Sequence, residues 1–226
     1  MSAGLSAAGE AGKQARFASL TRRLRRLGRI LLVLVGLGTC VWLARAPLLR
    51  GVADLWIVAD DVTQANAAAV LGGRIDVRPF AAADLYHRGL VEKILVSNNE
   101  DDRAAVIGAV QGHTEANRRV LLKLGVPENA IEAFGRANKS TKDEAIALRE
   151  WGKRHNASSI IIPTEVFAGR RVRWIFDREF AGQGIRIQLL SLEPPEFTRR
   201  EWWKTPAGLL AFQNEVIKYI YYRLEY

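Results

Sequence analysis

The sequence predicts an α/β protein, a Rossmann-like three-layer α/β/α sandwich with a mainly parallel five-stranded sheet, preceded by one N-terminal transmembrane helix. Three observations predict it. Short apolar runs alternate with helix-period segments from residue 67 onward. Glycines, prolines and capping hydroxyls fall at the junctions. A charge-free apolar run follows a basic cluster near the N-terminus.

"AAAVLGG" (67–73) reads as a strand ending in two glycines, and "FAAADLYHRGL" (80–90) as a helix with a glycine stop. "EKILVSNN" (92–99) is a second strand, followed by a polar loop over 98–112. "TEANRRVLLKLG" (114–125) is a helix opened by Thr114 and closed by Gly125 ahead of Pro127. "AIEAFG" (130–135) is a third strand. "STKDEAIALREWGKR" (140–154) begins with hydroxyls and places acids in its first turn, as helix starts prefer. "SSIIIPT" (158–164) is a fourth strand whose apolar run ends at Pro163-Thr164, and an arginine-rich helix follows to about Phe180. "GIRIQLLSL" (184–192) is a fifth strand. A last helix over about 205–225 carries Leu209, Phe212, Val216, Ile220 and Leu224 on one face. In such sheets ligands bind beyond the carboxyl ends of the strands, where strand order reverses. "LGG", "SNN", "NKST" and "PTEVFAGRR" all fall at those ends.

Before this domain (54–226) lie a basic tail (1–29), expected to be irregular, and "ILLVLVGLGTCVWLA", which with its flank makes a span over 30–49. The arginine cluster ahead of the run predicts a cytoplasmic N-terminus and an exported domain. "ARA" at 44–46 resembles a signal-peptide cleavage site, but Pro47 follows it, so an uncleaved anchor is the reading adopted. Cys40, the only cysteine, lies inside the run and can form no internal disulfide.

Charge argues against nucleic acid. Nine of the 33 Lys and Arg but only one of the 24 Asp and Glu precede residue 51, so beyond it 24 bases face 23 acids. No basic field covers the domain. Dinucleotide, Walker, nucleophile-elbow and zinc-protease motifs are absent. His87, His113 and His155 are scattered and read as surface residues, no metal site is expected and no cofactor is indicated.

The polar candidates are therefore the strand-end residues. Gly72 and Gly73 can turn tightly and offer backbone N–H groups to an anion, with Arg78 close behind them. Ser97 and Asn98 can bind a polar ligand or simply make a turn. Ser140 and Thr141 can cap a helix or hold a phosphate at its N-terminus. Thr164 precedes Arg170, Arg171 and Arg173, which stand in the first turns of a helix, where cations are ordinarily unfavourable by about 0.3–1 kcal/mol each. A bound anion would remove that conflict. Pairing of Arg173 with Asp177, and of Arg170 or Arg171 with Glu165, is the plainer alternative. Glu115 and Glu144 are the weak candidates for a general base.

The ordered set "AVLGG", "KILVSN", "ST.DEA..L..W", "SIIIPTEVF…RRVRWIF" and "EWW…NE.IKYIYYRL" resembles the YdcF-like family of bacterial domains over about residues 54–226. The resemblance implies a Rossmann-like domain, often membrane-anchored, with a role in cell-envelope integrity or biogenesis. Its typical polar positions correspond to Gly72, Gly73, Arg78, Glu115, Thr141, Glu144, Thr164 and Arg171. Two positions depart from the family pattern: Asn98-Asn99 replace a glycine pair, and Ala168 replaces a histidine.

The resulting expectation is an anchored extracytoplasmic domain that binds a phosphorylated small molecule or lipid-linked envelope precursor. A hydrolase or transferase acting on such a ligand, and a membrane-tethered scaffold built on the aromatic C-terminal segment, are the alternatives.

Overall fold

A computed structural model describes the backbone of residues 3–225 and the side chains of residues 25–225. The chain divides into two compact units, Met1–Gly51 and Val52–Tyr226. Helix α1 is Ala3–Trp56. Within it, Arg25–Trp56 is long and apolar enough to cross a membrane, with a mean hydropathy of 2.0 over its most apolar 18-residue window. The expected irregular tail (1–29) lies mostly outside the side chains described.

The second unit holds the sheet. In chain order its elements are β1 (Ala65–Val70), α2 (Arg78–His87), β2 (Val91–Asn99), α3 (Arg103–Val106), α4 (His113–Lys123), β3 (Ile131–Asn138), α5 (Thr141–Arg154), β4 (Ser159–Glu165), α6 (Gly169–Glu179), β5 (Arg186–Leu192) and α7 (Pro206–Glu225). The five strands are all parallel, in the order β3-β2-β1-β4-β5. The chain thus fills one half of the sheet outward from β1, then crosses back to build the other half from β4.

Alternation along β1 shows the layering. Ala67, Ala69 and Leu71 pack with Leu148 and Trp151 of α5 and Val172 and Phe176 of α6. Ala68 and Val70 face the opposite side, toward Ala82 and Leu85 of α2 and Leu121 of α4. Strands covered on both faces carry apolar residues at both parities, which is why "AAAV" and "SIII" read as continuous runs. The small alanines of β1 let both helical layers approach closely.

Two details differ from the sequence reading. The fourth strand, expected over 158–164, runs through Pro163 to Glu165. A proline removes a ladder donor, yet β4 pairs with β1 only at Ile160 and Ile161, so Pro163 lies past the shared ladder. There the two central strands part, and their separation opens the strand-end crevice. The polar loop after β2 also contains the short helix α3, capped by Asp102 Oδ1, which accepts from Ala105 N at 2.9 Å.

Candidate functional site

A cleft of about 900 Å³ opens where β1 and β4 diverge, at the carboxyl ends of the strands. Its first wall is the turn after β1. Gly72 N donates to Glu144 Oε1 at 2.6 Å, and Gly73 N donates to His113 Nε2 at 3.1 Å. Two successive amides thus meet a carboxylate from α5 and an imidazole from α4. The Gly72 carbonyl accepts from Arg78, whose Nε donates to Glu165 Oε1 at 3.0 Å. Side chains crowd both glycines. A Cβ on Gly72 would collide with the Asn99 amide, and Gly73 has φ +139° with the Arg78 guanidinium directly beside it.

The second wall joins α6, α5 and α7. Arg171 makes a two-pronged pair with Glu215, Nε to Oε2 at 2.7 Å and Nη2 to Oε1 at 3.2 Å. Its Nη1 donates to Thr141 Oγ1 at 2.8 Å. Lys218 Nζ reaches the same carboxylate at 3.1 Å. Burial alone would raise the Glu215 pKa, but hydrogen bonds and charge from Arg171, with a smaller contribution from Lys218, hold it below the usual carboxylate range. At the rim, Arg74 bridges Asp76 and Glu196; its hydrogen bonds keep both acids below their ordinary values. Phe167 stacks on Phe197 at 5.6 Å, and both line the cleft beside Ala168.

Arginines at the start of α6 are thereby explained from inside the chain. Arg170 Nε donates to the carbonyl of Trp56 at 3.0 Å, at the carboxyl end of α1. Arg173 pairs with Asp60 and, at 3.6 Å, with Asp177. Arg171 takes Glu215. The expected Arg173–Asp177 pair is present, but Glu165 belongs to Arg78 rather than to Arg170 or Arg171. Each guanidinium leaves the helix axis toward its own oxygen partners, which offsets the repulsion from the helix N-terminus.

Of the twelve residues singled out from the sequence, Gly72, Gly73, Arg78, Ser140, Thr141, Glu144 and Arg171 line the cleft. Ser97, Asn98, Thr164, Arg170 and Glu115 do not, and periodicity explains most of this. Glu165 faces the cleft, so Thr164, one residue earlier on the strand, points to the opposite side, fully buried with its hydroxyl unpartnered. Asn98 likewise alternates with Asn99, donating to the Gly135 carbonyl at 3.4 Å. Ser97 is buried and accepts from Asn138 Nδ2 at 3.0 Å. Glu115 is exposed, two helical positions from His113, which faces the cleft.

His113 is the principal omission. It is not a surface residue but a cleft residue, and burial, followed by the charge of Arg78, lowers its pKa below 6.5, favouring the neutral ring that accepts from Gly73. Asn99 and Glu165 were recoverable from strand parity. Glu215, which lies 44 residues after Arg171, had no local signal. Among the described residues no group of three His, Cys, Asp or Glu is arranged to hold a metal ion. Comparison with family models, curated proteins and solved structures gives no match to this chain.

Proposed function

We propose that this protein is anchored once in a bacterial plasma membrane by residues 30–49, N-terminus cytoplasmic, and that its exported α/β domain binds a phosphorylated envelope ligand in the strand-end cleft. The observation that carries the reading is the pair of arginines, Arg78 and Arg171, at 7% and 6% exposure on opposite walls of that cleft. Buried ion pairs contribute little net stability against apolar replacements, so two of them around one open cleft call for a further role. Glu165 and Glu215 hold the guanidiniums in place. A phosphate, with more acceptor oxygens than a carboxylate, competes for the same planar donors. Lys139 and Lys218 at the edge add attraction. Resemblance to the YdcF-like family supports the envelope setting, where free nucleotides are not expected and phosphorylated carriers and glycan intermediates are.

The test is calorimetric titration of the full chain in nanodiscs with a short isoprenyl monophosphate and with the matching alcohol. The phosphate is expected to bind and the alcohol not, with Arg171→Lys weakening the phosphate at least tenfold. Equal heats from phosphate and alcohol, or unchanged affinity in the variant, would overturn the proposal.

His113 and Glu144 favour a second reading, hydrolysis or transfer on the same ligand. Both sit on successive amides of one turn, and a ligand oxygen that takes the Gly73 N–H frees His113 Nε2 to accept a proton. Phosphate release by wild type that is lost in His113→Gln, with ligand affinity retained, would establish it. Retained release in that variant would exclude His113 as the base.

A further inference from the structure

Helix α7 has three faces. Gly208, Phe212 and Tyr219 turn inward. Gly208 is the only residue of the helix that is fully buried, while Phe212 and Tyr219 pack on Trp56 with ring centroids 5.6 and 5.5 Å away. Asn214, Glu215, Lys218 and Tyr222 turn to the cleft, with Tyr221 at its edge. The third face is exposed: Leu209, Leu210, Ile217, Ile220, Tyr221 and Leu224 are between 47% and 82% accessible. At 3.6 residues per turn these six fall in one arc of about 120° along the whole helix, interrupted only by Gln213. Isolated apolar residues on a surface need no account, but a continuous stripe of this length does.

We infer that this stripe lies on the lipid bilayer, with α7 as an interfacial helix parallel to the membrane surface. Two observations select lipid as the occupant. Trp56, which α7 grips by two ring contacts, is seven residues after Leu49, the end of the span. Seven residues reach at most about 25 Å when fully extended, so α7 stays close to the headgroups however the two units are arranged. The composition also fits. The stripe consists of long aliphatic side chains bordered by Tyr221, which stands between it and the cleft and whose ring and hydroxyl suit the headgroup boundary. The inference rests on the anchoring of residues 30–49 proposed above, but not on any ligand.

Full-length protein in phosphatidylethanolamine–phosphatidylglycerol nanodiscs, one copy per disc, tests it with an environment-sensitive fluorophore at a single cysteine. Native Cys40 reports the span, Ile217→Cys in a Cys40→Ser background reports the stripe, and Glu92→Cys in the same background serves as a water-exposed reference. Spin-labelled lipid is expected to quench positions 40 and 217 at least threefold more than position 92, with iodide showing the reverse order. Lipid quenching at 40 but not at 217 overturns the docking and leaves the anchor intact. No quenching at 40 removes the anchor, and the docking with it. Protection at 217 that appears only when two copies share a disc assigns the stripe to a contact between copies and also overturns the inference. Leu224→Cys, read in the same way, guards against a local effect of the label at 217.

Discussion

Removing the Glu215 carboxylate isolates the energetic role of the Arg171 pair. Both side chains are largely out of water, at 7% and 12% exposure, and the pair joins α6 to α7. Glu215→Ala leaves Arg171 with Thr141 Oγ1, a neutral acceptor, inside a low-dielectric wall. Breaking a buried pair from one side typically costs about 3–5 kcal/mol, because the remaining charge is left desolvated. Thr141 and the open side of the cleft place this case near 3 kcal/mol. In a domain of this size each kcal/mol shifts the melting temperature by about 2–4 °C, so a loss of about 6–12 °C is expected. The double variant Arg171→Met/Glu215→Leu removes both charges and is expected to recover most of that loss, while Arg171-dependent ligand binding stays abolished. The assay is thermal unfolding of the full chain in detergent at pH 7, followed by tryptophan fluorescence. The sign of the pH dependence follows from the lowered pKa of Glu215. The pair's contribution is fully present above the ordinary value of 4.5 and is lost as pH falls through the depressed folded value, so pH 7 reads it in full. A single variant within 1 kcal/mol of wild type would refute the reasoning, as would a double variant no more stable than the single.

His113 is held neutral, with its folded pKa below 6.5, so its contribution is present above that value and lost as pH falls through the depressed one. Wild type should therefore lose more stability between pH 7 and pH 5 than His113→Gln, as read by melting temperatures across that range. Thr164→Val removes a buried hydroxyl without a partner and keeps its volume; chemical denaturation should show no loss, and up to about 1 kcal/mol of gain. Because Thr164 does not line the cleft, ligand affinity should be unchanged. Gly208→Ala drives a methyl into the Trp202 carbonyl oxygen, so α7 must shift; about 1–3 kcal/mol of destabilisation is expected, with faster amide exchange along α7. Phe176→Ala deletes a fully buried ring stacked on Phe180 at 5.7 Å and should cost about 3–5 kcal/mol in the same denaturation assay.

The strands and helices were legible because each carries its own local signal. β1 and β4 are buried on both faces over Ala67–Val70 and Ile160–Ile162 and so are continuously apolar there, while α5 announces itself by Ser140, whose Oγ accepts from Asp143 N at 3.2 Å, and by acids in its first turn. Strand boundaries shifted by a residue at β4, where Pro163 is accommodated because pairing with β1 ends at Ile161. The apolar periodicity of α7 was visible as well, but the face it buries was not. Phe212 packs inward while Leu209, Ile220 and Leu224, read on the same side, are exposed. Periodicity reports that a stripe exists; what covers it is set by neighbours elsewhere in the chain.

The cleft residues divide along the same line. Gly72, Gly73, Arg78 and Thr141 sit at strand ends or helix starts, positions that the chain order itself brings to one edge of the sheet. Partners were hidden because they come from distant segments: Glu165 for Arg78, Glu215 for Arg171, His113 for Gly73. This matters most for the histidine. Ala168 follows β4 where a histidine was expected from the resemblance, and the other histidines read as scattered surface residues. In the fold, an imidazole reaches the same cleft from the start of α4, on the opposite side of β1 from α6. A proton acceptor is therefore present beside the diglycine turn, held neutral by burial and by Arg78. A residue that no local motif marks can supply chemistry when the topology converges several elements on one crevice. The distinction between binding and turnover thus comes down to one group, His113, and to whether a ligand oxygen displaces it from the Gly73 amide.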